Sequence, residues 1–322
     1  MKKILKPLVM IFLIMNLSGC GMMMMQQQQQ EQNDFSEQQE PTSSDSDLSS
    51  DADSELNSSE SFSVEKRIVS LIPSNTEILD ALDLNDEIVG ITTSDTYPED
   101  LVRNPDVSKL DAFEFDIEQL LTLEPTHILS HESSRAMHGS VLEQITADTD
   151  AEVIYVEEAA TVGGIPETIM EVGRFLGEAD KAGEAAETLE TDINNIVENV
   201  NAEETYDAVI QIGRNPEFYT AGDNTFLHDV LEKVNVKNTF SDLNGFTSVS
   251  IEVVIERNPD YIRSVSGVSA SELNEEVAEF PGIENLTIES ENRQCAIDPD
   301  VITRPGPRIT EGLTEILECM NG

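Results

Sequence analysis

Short apolar runs alternate with amphipathic segments along the chain from about residue 66 to the C-terminus. Runs of this length are typical of buried strands, and apolar positions at three- and four-residue steps are typical of helices that bury one face. The apolar runs predict strands at residues 67–72, 87–91, 151–156, 207–212, 261–265 and 293–297. Because these strands alternate with helical segments, the pattern predicts an α/β fold with mainly parallel sheets.

The predicted helices differ in length. Ser74 and Glu77 have the spacing of a capping box, which predicts a helix start. Apolar residues then recur with helical period from Pro166, and Gly177 separates a short helix from one over about 179–200. The longer helix would extend roughly 30 Å, so we expect it to bridge the two halves and resist hinge motion. Further helices are predicted at 225–233 and up to Met320, and loops at 92–111, 213–223 and 304–308.

One fifteen-residue pattern occurs in both halves, at residues 116–130 and 250–264. Each copy predicts a helix that begins after a capping residue, Asp116 or Ser250, and ends before a proline. A buried strand is predicted to follow. A unit repeated in this way indicates two similar lobes, and two lobes form a cleft that can bind a ligand. The identical residues are Ile117/Ile251, Glu118/Glu252, Pro125/Pro259, Ile128/Ile262 and Ser130/Ser264.

The first residues have the pattern of a secretion signal. Lysines near the N-terminus precede an apolar run over 8–14, and the sequence LSGC then ends at Cys20. This resembles a lipobox, in which cleavage before the cysteine is followed by its lipidation. An ordinary signal peptide or a short uncleaved anchor are the alternatives. No other stretch of the chain has the apolar length of a membrane span, so we expect a protein tethered to the membrane's outer face by lipid at Cys20.

The segment after this cysteine is predicted to be disordered. Residues 21–65 contain eleven acidic residues and no basic one. Such a composition buries too little apolar surface to offset chain entropy. A flexible tether of this length would span roughly 35–40 Å. The predicted parts are a signal peptide (1–19), a lipid-anchored acidic linker (20–65), an N-terminal lobe (66–165), a helical segment (166–202) and a C-terminal lobe (203–322).

The net charge and the cysteine content restrict the partners and metal sites that this protein can have. The formal net charge of −46 argues against nucleic acid as a partner, since phosphate binding requires clustered Lys and Arg. A solvated surface suited to salty surroundings is the simplest explanation of the acidity. Outside the cell, Cys295 and Cys319 are free to form a disulfide, although two buried thiols would also fit the sequence. Their spacing matches no zinc site, and we predict no metal centre built by the protein.

The chain has no sequence motif of a common enzyme class. It contains no Walker-type loop, no G-x-S-x-G elbow and no H-E-x-x-H pair. Arg135 stands where a zinc protease following His131 and Glu132 would have its second histidine. We therefore predict a protein that is not an enzyme. A lipid-tethered hydrolase is the alternative from a different class.

Several short sequences occur in the order seen in one family of transport proteins. They are RIVSLIPSNTE at 67–77, YP at 97–98, DIE at 116–118, EP at 124–125, SIE at 250–252 and RPGPR at 304–308. From Arg67 to Met320 the chain resembles the substrate-binding proteins of cobalamin, haem and ferric-siderophore importers, most closely the cobalamin binders. The resemblance implies two Rossmann-like lobes with mainly parallel sheets, joined by one long helix, and a ligand cleft between them.

The resemblance also implies partners. Members of this family deliver a small metal chelate to an ATP-driven importer, composed of a permease and an ATPase, and use one glutamate on each lobe to dock on permease arginines. Glu118 and Glu252 match those two positions. A glutamate in the first turn of a helix also stabilises that helix, which is the simpler role for such a residue. We expect a monomeric binding protein.

Among the family's ligands, cobalamin is expected first. Tyr97 and Phe246 match aromatic contacts to the corrin, and Asp300 matches a polar one, although core packing is the alternative for both aromatic residues. Haem is the second expectation; its axial ligand would come from His131, His138 or Tyr97, with Met137 and His228 as further candidates. An anionic siderophore would instead use arginines at 135, 214, 304 and 308. The candidate ligand-binding residues are Asp95, Tyr97, Arg214, Phe218, Phe246, Asp300 and Arg304.

Overall fold

The computed structural model describes residues 65–113, 116–200, 205–214, 217–283, 288 and 293–321. The predicted signal peptide, Cys20 and nearly all of the acidic linker lie outside these residues. Within the described residues no helix is both long enough and apolar enough to cross a membrane.

The first lobe is built on one parallel sheet of five strands, ordered β3-β2-β1-β4-β5. The strands are β1 (Ile68–Ser70), β2 (Ile88–Thr92), β3 (Ser108–Leu110), β4 (His127–His131) and β5 (Glu152–Val156). Ile68 packs into the core on one face of the sheet and Val69 into the core on the other. Because both faces are covered, the strands are short apolar runs rather than alternating ones.

Helices connect these strands. They are α1 (Pro73–Ala81), α2 (Glu99–Arg103), α3 (Ile117–Thr122) and α4 (Arg135–Asp148). The predicted capping box is wrong: α1 begins at Pro73, and its N-cap, Ile72, makes no side-chain cap hydrogen bond. The predicted loop at 92–111 is also wrong, since it contains α2 and β3. Helix α4 was not predicted.

Two packed helices follow the first sheet, α5 (Ile165–Phe175) and α6 (Ala179–Glu198). The predicted break at Gly177 is confirmed, because this residue has a φ of 72°, which favours glycine. A Cβ on Gly173 would lie only 2.2 Å from the Cβ of Ala182, so the two helices pack as closely as their backbones allow. Helix α6 has 20 residues and is the predicted long helix.

The second lobe has two sheets. A parallel sheet has the order β12-β11-β6-β9, and a three-stranded antiparallel ribbon has the order β10-β8-β7. The strands are β6 (Tyr206–Gln211), β7 (Gly213–Arg214), β8 (Phe218–Ala221), β9 (Val236–Asn238), β10 (Phe246–Val249), β11 (Tyr261–Ser264) and β12 (Gln294–Ala296). The ribbon corrects the prediction of a loop at 213–223.

The helices that accompany these strands include α7 (Phe226–Lys233), α8 (Ile251–Arg257), α9 (Ala270–Ala278), α10 (Pro299–Ile302) and α11 (Ile309–Asn321). The sulfur atoms of Cys295 and Cys319 are bonded, which is one of the two alternatives that the sequence left open, and the bond attaches α11 to β12. The bridge closes a segment that contains α10 and the RPGPR sequence.

One apolar core runs through both lobes. It includes Ile68 of the first sheet, Ile169 of α5, Leu189 of α6, Ile210 of the second sheet and Leu313 of α11. Two smaller cores cover the opposite face of each parallel sheet. Because α5, α6 and α11 pack into the shared core, separating the lobes would expose apolar surface, and we expect a stiff connection.

The repeated units adopt the same local structure. In each lobe the helix, α3 or α8, leads into an interior strand, β4 or β11. The residues before the two repeated prolines, Glu124 and Asn258, have φ values of 46° and 45°. The side chain of Asp116 accepts a hydrogen bond from the Glu118 backbone N–H, as a capping residue should. Ser250 is the N-cap of α8 by position but makes no such bond.

Candidate functional site

Polar and titratable residues lie at or just beyond the carboxyl ends of the parallel strands in both lobes. In parallel α/β sheets this edge is where ligands bind. The first sheet ends in His131 on β4, with Glu158 two residues beyond β5; the second ends in Gln211 on β6. The backbone N–H of Val162 donates to Asp229 Oδ2 at 2.7 Å, which joins the two lobes a few residues after Glu158.

A buried carboxylate connects the first lobe to the C-terminal segment. Glu77 of α1 has a side chain only 1% exposed, and its Oε1 lies 3.4 Å from Nη1 of Arg304 and 3.6 Å from Nη1 of Arg308. Desolvation raises the pKa of Glu77 to about 7, and the two arginines act in the opposite direction. The RPGPR sequence thus supplies two cations to one buried acid.

Arg304 also contacts polar groups near the carboxyl end of β2. Its Nη2 lies 2.6 Å from Asp300 Oδ1, and its Nη1 donates to the Thr96 hydroxyl at 3.1 Å. The Thr96 hydroxyl in turn donates to Asp300 Oδ2 at 2.6 Å. Tyr97 is partly buried, with the Arg308 guanidinium 4.4 Å from its ring centroid. Three predicted residues, Tyr97, Asp300 and Arg304, therefore lie in one network.

On the second lobe, Arg214 is held by the neighbouring helix. Its Nη1 donates to the Glu276 carbonyl at 3.0 Å, and its guanidinium lies 4.9 Å from the ring of Phe280. The Gln211 amide donates to Glu276 Oε2 at 2.9 Å. Arg214 is thus already engaged by protein groups in this structure.

The aromatic candidates occupy different environments. Phe246, at the start of β10, has 53% of its surface exposed, whereas Phe218 on β8 has 2% and packs in a core against Phe280. Contact between Phe218 and a ligand would require that core to open. Phe113 of the first lobe is as open as Phe246, at 54%.

Asp95 is buried in a turn. Its Oδ2 accepts from the backbone N–H and the hydroxyl of Thr92, at 2.7 and 2.6 Å. Desolvation raises the pKa of Asp95. These contacts give Asp95 a role in shaping the loop that carries Thr96 and Tyr97, rather than an open position for a ligand.

The histidine candidates are not equivalent. His138 lies within α4 and is buried, whereas Met137 beside it is exposed. His228 of α7 lies near Asp223 and Glu232. His131 ends β4 with its Nε2 atom 3.9 Å from Glu158 Oε2.

Other recesses lie away from these residues. One of about 330 Å³ is formed by the end of α1, by α6 and by Pro307; another of about 540 Å³ lies between α6 and α11. Neither is lined by a predicted site residue. The carboxyl edges of the sheets are the better candidate because the polar and aromatic groups converge there. The described residues contain no cluster of three or more His, Cys, Asp or Glu side chains suited to a metal ion.

Comparison with known proteins identifies the family. The family model described as periplasmic binding protein matches residues 68–300. The chain belongs to the periplasmic binding protein family. Its members are substrate-binding components of transporters and are not enzymes. The prediction that this protein is not an enzyme is therefore confirmed. The two-lobe α/β fold class is confirmed as well.

Individual relatives agree with this assignment. The chain is 32% identical over 258 residues to an uncharacterized ABC transporter substrate-binding lipoprotein, YvrC, of Bacillus subtilis (strain 168), covering 79% of this chain and 80% of the relative. It is 24% identical over 263 residues to a cobalamin-binding protein of Halobacterium salinarum, covering 80% and 69%. A crystal structure of a possible iron-binding (periplasmic solute-binding) protein from Staphylococcus epidermidis has a TM-score of 0.73 at 34% identity, covering 80% and 98%.

In this periplasmic binding protein, the two repeated glutamates are both exposed. Glu118 is in the first turn of α3 and Glu252 in the first turn of α8. Hydrogen bonds from its own backbone N–H and from Ser250 lower the pKa of Glu252. Each lobe therefore presents one carboxylate at the equivalent point of its repeat.

Several residues of the site were missed by the sequence analysis. Glu77 was assigned to a local capping motif, and Thr96, Gln211 and Glu276 carried no motif at all. Glu158 was missed because one acidic residue among the chain's 64 Asp and Glu residues gives no signal. The position after a predicted parallel strand was the one clue that could have identified it.

Proposed function

We propose that this periplasmic binding protein captures a corrinoid outside the cytoplasmic membrane and delivers it to an ATP-driven importer. As a family member it works with permease and ATPase subunits and binds a small ligand. The corrinoid is the specific part of the proposal. It extends the family assignment to one ligand class.

The choice of a corrinoid rests on the contacts that the cleft arginines already make with other protein groups. Arg304 is paired with Glu77 and Asp300, and Arg214 is held by the Glu276 carbonyl and the Phe280 ring. A haem with its propionates, or a ferric siderophore with net negative charge, would have to compete for these cations. A corrinoid carries neutral amides around its ring and requires no free cation, so it suits this cleft better.

Aromatic surface supports the same ligand. Phe246 is exposed on the second lobe, and Tyr97 is partly open on the first. Rings of this kind pack against the faces and edges of a large apolar macrocycle, and a few polar groups fix its orientation. The relative named as a cobalamin-binding protein is consistent with this ligand.

Glu118 and Glu252 are proposed to dock on the permease. Both are exposed in the first turn of a helix, where a negative charge stabilises the helix. A carboxylate of this kind forms bidentate bonds with arginine. Two such anchors, one on each lobe, allow the permease to recognise both lobes at once.

We also propose that the mature protein is attached to the membrane by lipid at Cys20. The support is the LSGC sequence after an apolar run, together with the name of the relative described as a lipoprotein. The acidic linker would then hold the folded body away from the surface. Metabolic labelling with a radioactive fatty acid tests this attachment, and a Cys20→Ser variant should remain unlabelled.

An iron chelate is the second candidate ligand. The solved structure at 34% identity is described as a possible iron-binding protein, which favours this alternative. Haem and ferric siderophores differ from corrinoids in their charge and absorption spectra. The two candidates can therefore be separated directly.

Absorbance spectra and titrations test the ligand. Protein purified from its native host should carry corrin absorption bands, and ligand-free protein should bind cyanocobalamin at micromolar affinity or better without converting it. Titration with haemin is the parallel measurement. Haem bands in the native protein, or tight haemin binding with no cyanocobalamin binding, would refute the corrinoid assignment.

A further inference from the structure

His131 and Glu158 form a polar pair at the carboxyl edge of the first sheet. His131 is the last residue of β4, and Glu158 lies two residues beyond β5, the neighbouring parallel strand. The Nε2 atom of His131 lies 3.9 Å from Oε2 of Glu158. This distance is too long for a hydrogen bond. Among the described residues, no group lies within hydrogen-bond distance of the buried Nε2 atom. A buried donor without a partner is costly, so this atom suits an acceptor that arrives with a ligand.

The other ring nitrogen fixes the tautomer of His131. The Ser133 hydroxyl lies 2.6 Å from His131 Nδ1 and can donate or accept, but the backbone N–H of Ser133, 3.1 Å from the same atom, can only donate. Nδ1 is therefore an acceptor without a proton. Burial lowers the pKa of His131, which leaves the ring neutral at pH 7. The proton of the neutral ring therefore lies on Nε2. In this form Nε2 is a hydrogen-bond donor, and it has no lone pair for an axial bond to a metal.

Glu158 lies beside His131 and is only partly covered by protein. Half of its side chain is open to solvent, yet desolvation by the surrounding protein raises the pKa of this carboxyl. Both observations hold for a group on the wall of a cleft. Its position agrees, since the hydrogen bond between Val162 and Asp229 joins the lobes a few residues later.

We propose that His131 and Glu158 together recognise a primary amide of the ligand and select against a carboxylate at the same place. The amide oxygen accepts from Nε2–H of His131, and the amide nitrogen donates to the carboxylate of Glu158. A ligand carboxylate would satisfy the histidine but would face Glu158 with like charge. This inference rests on the proposed corrinoid function and deepens it, since a corrin ring carries primary amides where haem carries propionates.

Corrinoids that differ in one group provide the test. Mild hydrolysis of cyanocobalamin converts single peripheral propionamides into carboxylates, and the resulting monocarboxylic acids can be separated. Binding is measured by calorimetry at about pH 8, well above the ordinary pKa of a carboxyl group. We expect the wild-type protein to bind at least one of these acids about 10- to 100-fold more weakly than cyanocobalamin.

Four variants locate the selectivity. In Glu158→Gln the preference for amide over carboxylate should fall to less than about threefold, because the repulsive charge is removed while an amide partner is retained. Glu152→Gln makes the same change at the opposite end of β5, where the side chain is exposed, and should keep the wild-type preference. His131→Phe should weaken cyanocobalamin binding about tenfold, and His131→Gln, which restores an N–H donor, should recover part of the loss.

The outcomes separate this inference from the proposed function. If the wild-type protein binds no corrinoid, the proposed ligand is refuted, and the amide site with it. If it binds cyanocobalamin but shows no preference over any monocarboxylic acid, only the amide site is refuted. The same holds if Glu158→Gln and Glu152→Gln have equal preferences.

Discussion

The two lobes share a scaffold but differ at the edge that faces the cleft. In each, a helix with an exposed glutamate leads into an interior parallel strand, as seen in α3 with β4 and α8 with β11. Beyond β4 the first lobe presents the polar pair of His131 and Glu158. The second lobe adds an antiparallel ribbon that carries the exposed Phe246.

We propose that this difference separates two tasks, docking on the permease and binding of the ligand. A pair of equivalent anchors is what docking requires, and the repeat provides one glutamate on each lobe. A ligand without two-fold symmetry instead requires different groups on its two sides, and the residues outside the repeat provide them. If this division is correct, changes within the repeat should affect delivery, and changes at the cleft edge should affect affinity.

Reversing the charge of both repeated glutamates should have the largest effect. In Glu118→Lys/Glu252→Lys, both anchors would repel the permease arginines, and we expect uptake of labelled cyanocobalamin to fall at least about 100-fold. Because neither side chain belongs to the cleft network, affinity for the ligand should stay within about twofold of wild type. Uptake is measured in cells that lack the native gene, and affinity by calorimetry.

A control variant carries the same charge change elsewhere. Glu187→Lys/Glu190→Lys alters two exposed residues of α6, outside both repeats, and should leave uptake unchanged. Loss of ligand affinity in the double repeat variant would contradict the docking role. So would equal loss of uptake in both pairs of variants.

The second lobe contains a disulfide that is expected to stabilise the folded protein. Cys295 and Cys319 are 24 residues apart, and a bridge over a loop of this size contributes about 3 kcal/mol to the free energy of unfolding. We expect that loss in Cys295→Ser/Cys319→Ser, measured by urea denaturation, and about the same loss when the wild-type protein is unfolded under a reductant. An unchanged midpoint in the double variant would show that α11 is held by packing alone.

The general architecture could be predicted because its signals are local. Apolar runs such as those of β1 and β4 are bounded by turn residues, and the repeat with its helix starts and prolines is visible in the sequence. The strands of the antiparallel ribbon were missed because each is only two to four residues long. Helix α4 was missed because residues 135–148 include glycine and many polar side chains, so their apolar face is weak.

The role of Glu77 in the cleft network was predicted wrongly for a different reason. Ser74 and Glu77 satisfy a local capping rule, but the fold places Glu77 beside Arg304, a partner 227 residues away in sequence. The buried arginine pairing outweighs the local rule, and only the tertiary structure reveals it. For the same reason the sequence identified Arg304 as a ligand contact without indicating that Glu77 and Asp300 already engage it.

The burial of Glu77 predicts a pH dependence of the protein's stability. The pKa of Glu77 rises from 4.5 to about 7 in the folded protein, so the native state holds this proton more tightly than the unfolded chain. The group's contribution to the free energy of unfolding therefore falls as pH increases from 4.5 to about 7, by roughly 3 kcal/mol.

Urea denaturation across this pH range measures the effect. The difference in unfolding free energy between wild type and Glu77→Gln should shift against the wild type as pH rises through the window. Glu311→Gln removes an exposed partner of Arg308 and should show no such shift. A difference that is constant with pH would mean that the arginines keep Glu77 ionised throughout.

The smallest predicted effect concerns two equally exposed phenylalanines, one on each lobe. Phe246 and Phe113 have 53% and 54% of their surfaces exposed, so truncation of either should change the free energy of unfolding by less than about 1 kcal/mol. If Phe246 packs on the ligand, Phe246→Ala should weaken cyanocobalamin binding by about 1–2 kcal/mol, roughly 5- to 30-fold, through lost aromatic contact. Calorimetric titration of both variants measures this, and Phe113→Ala serves as the matched control, with an expected change below about threefold. Equal losses in the two variants would mean that both lobes contribute aromatic surface to the ligand. The cleft would then be more symmetric than its polar groups indicate.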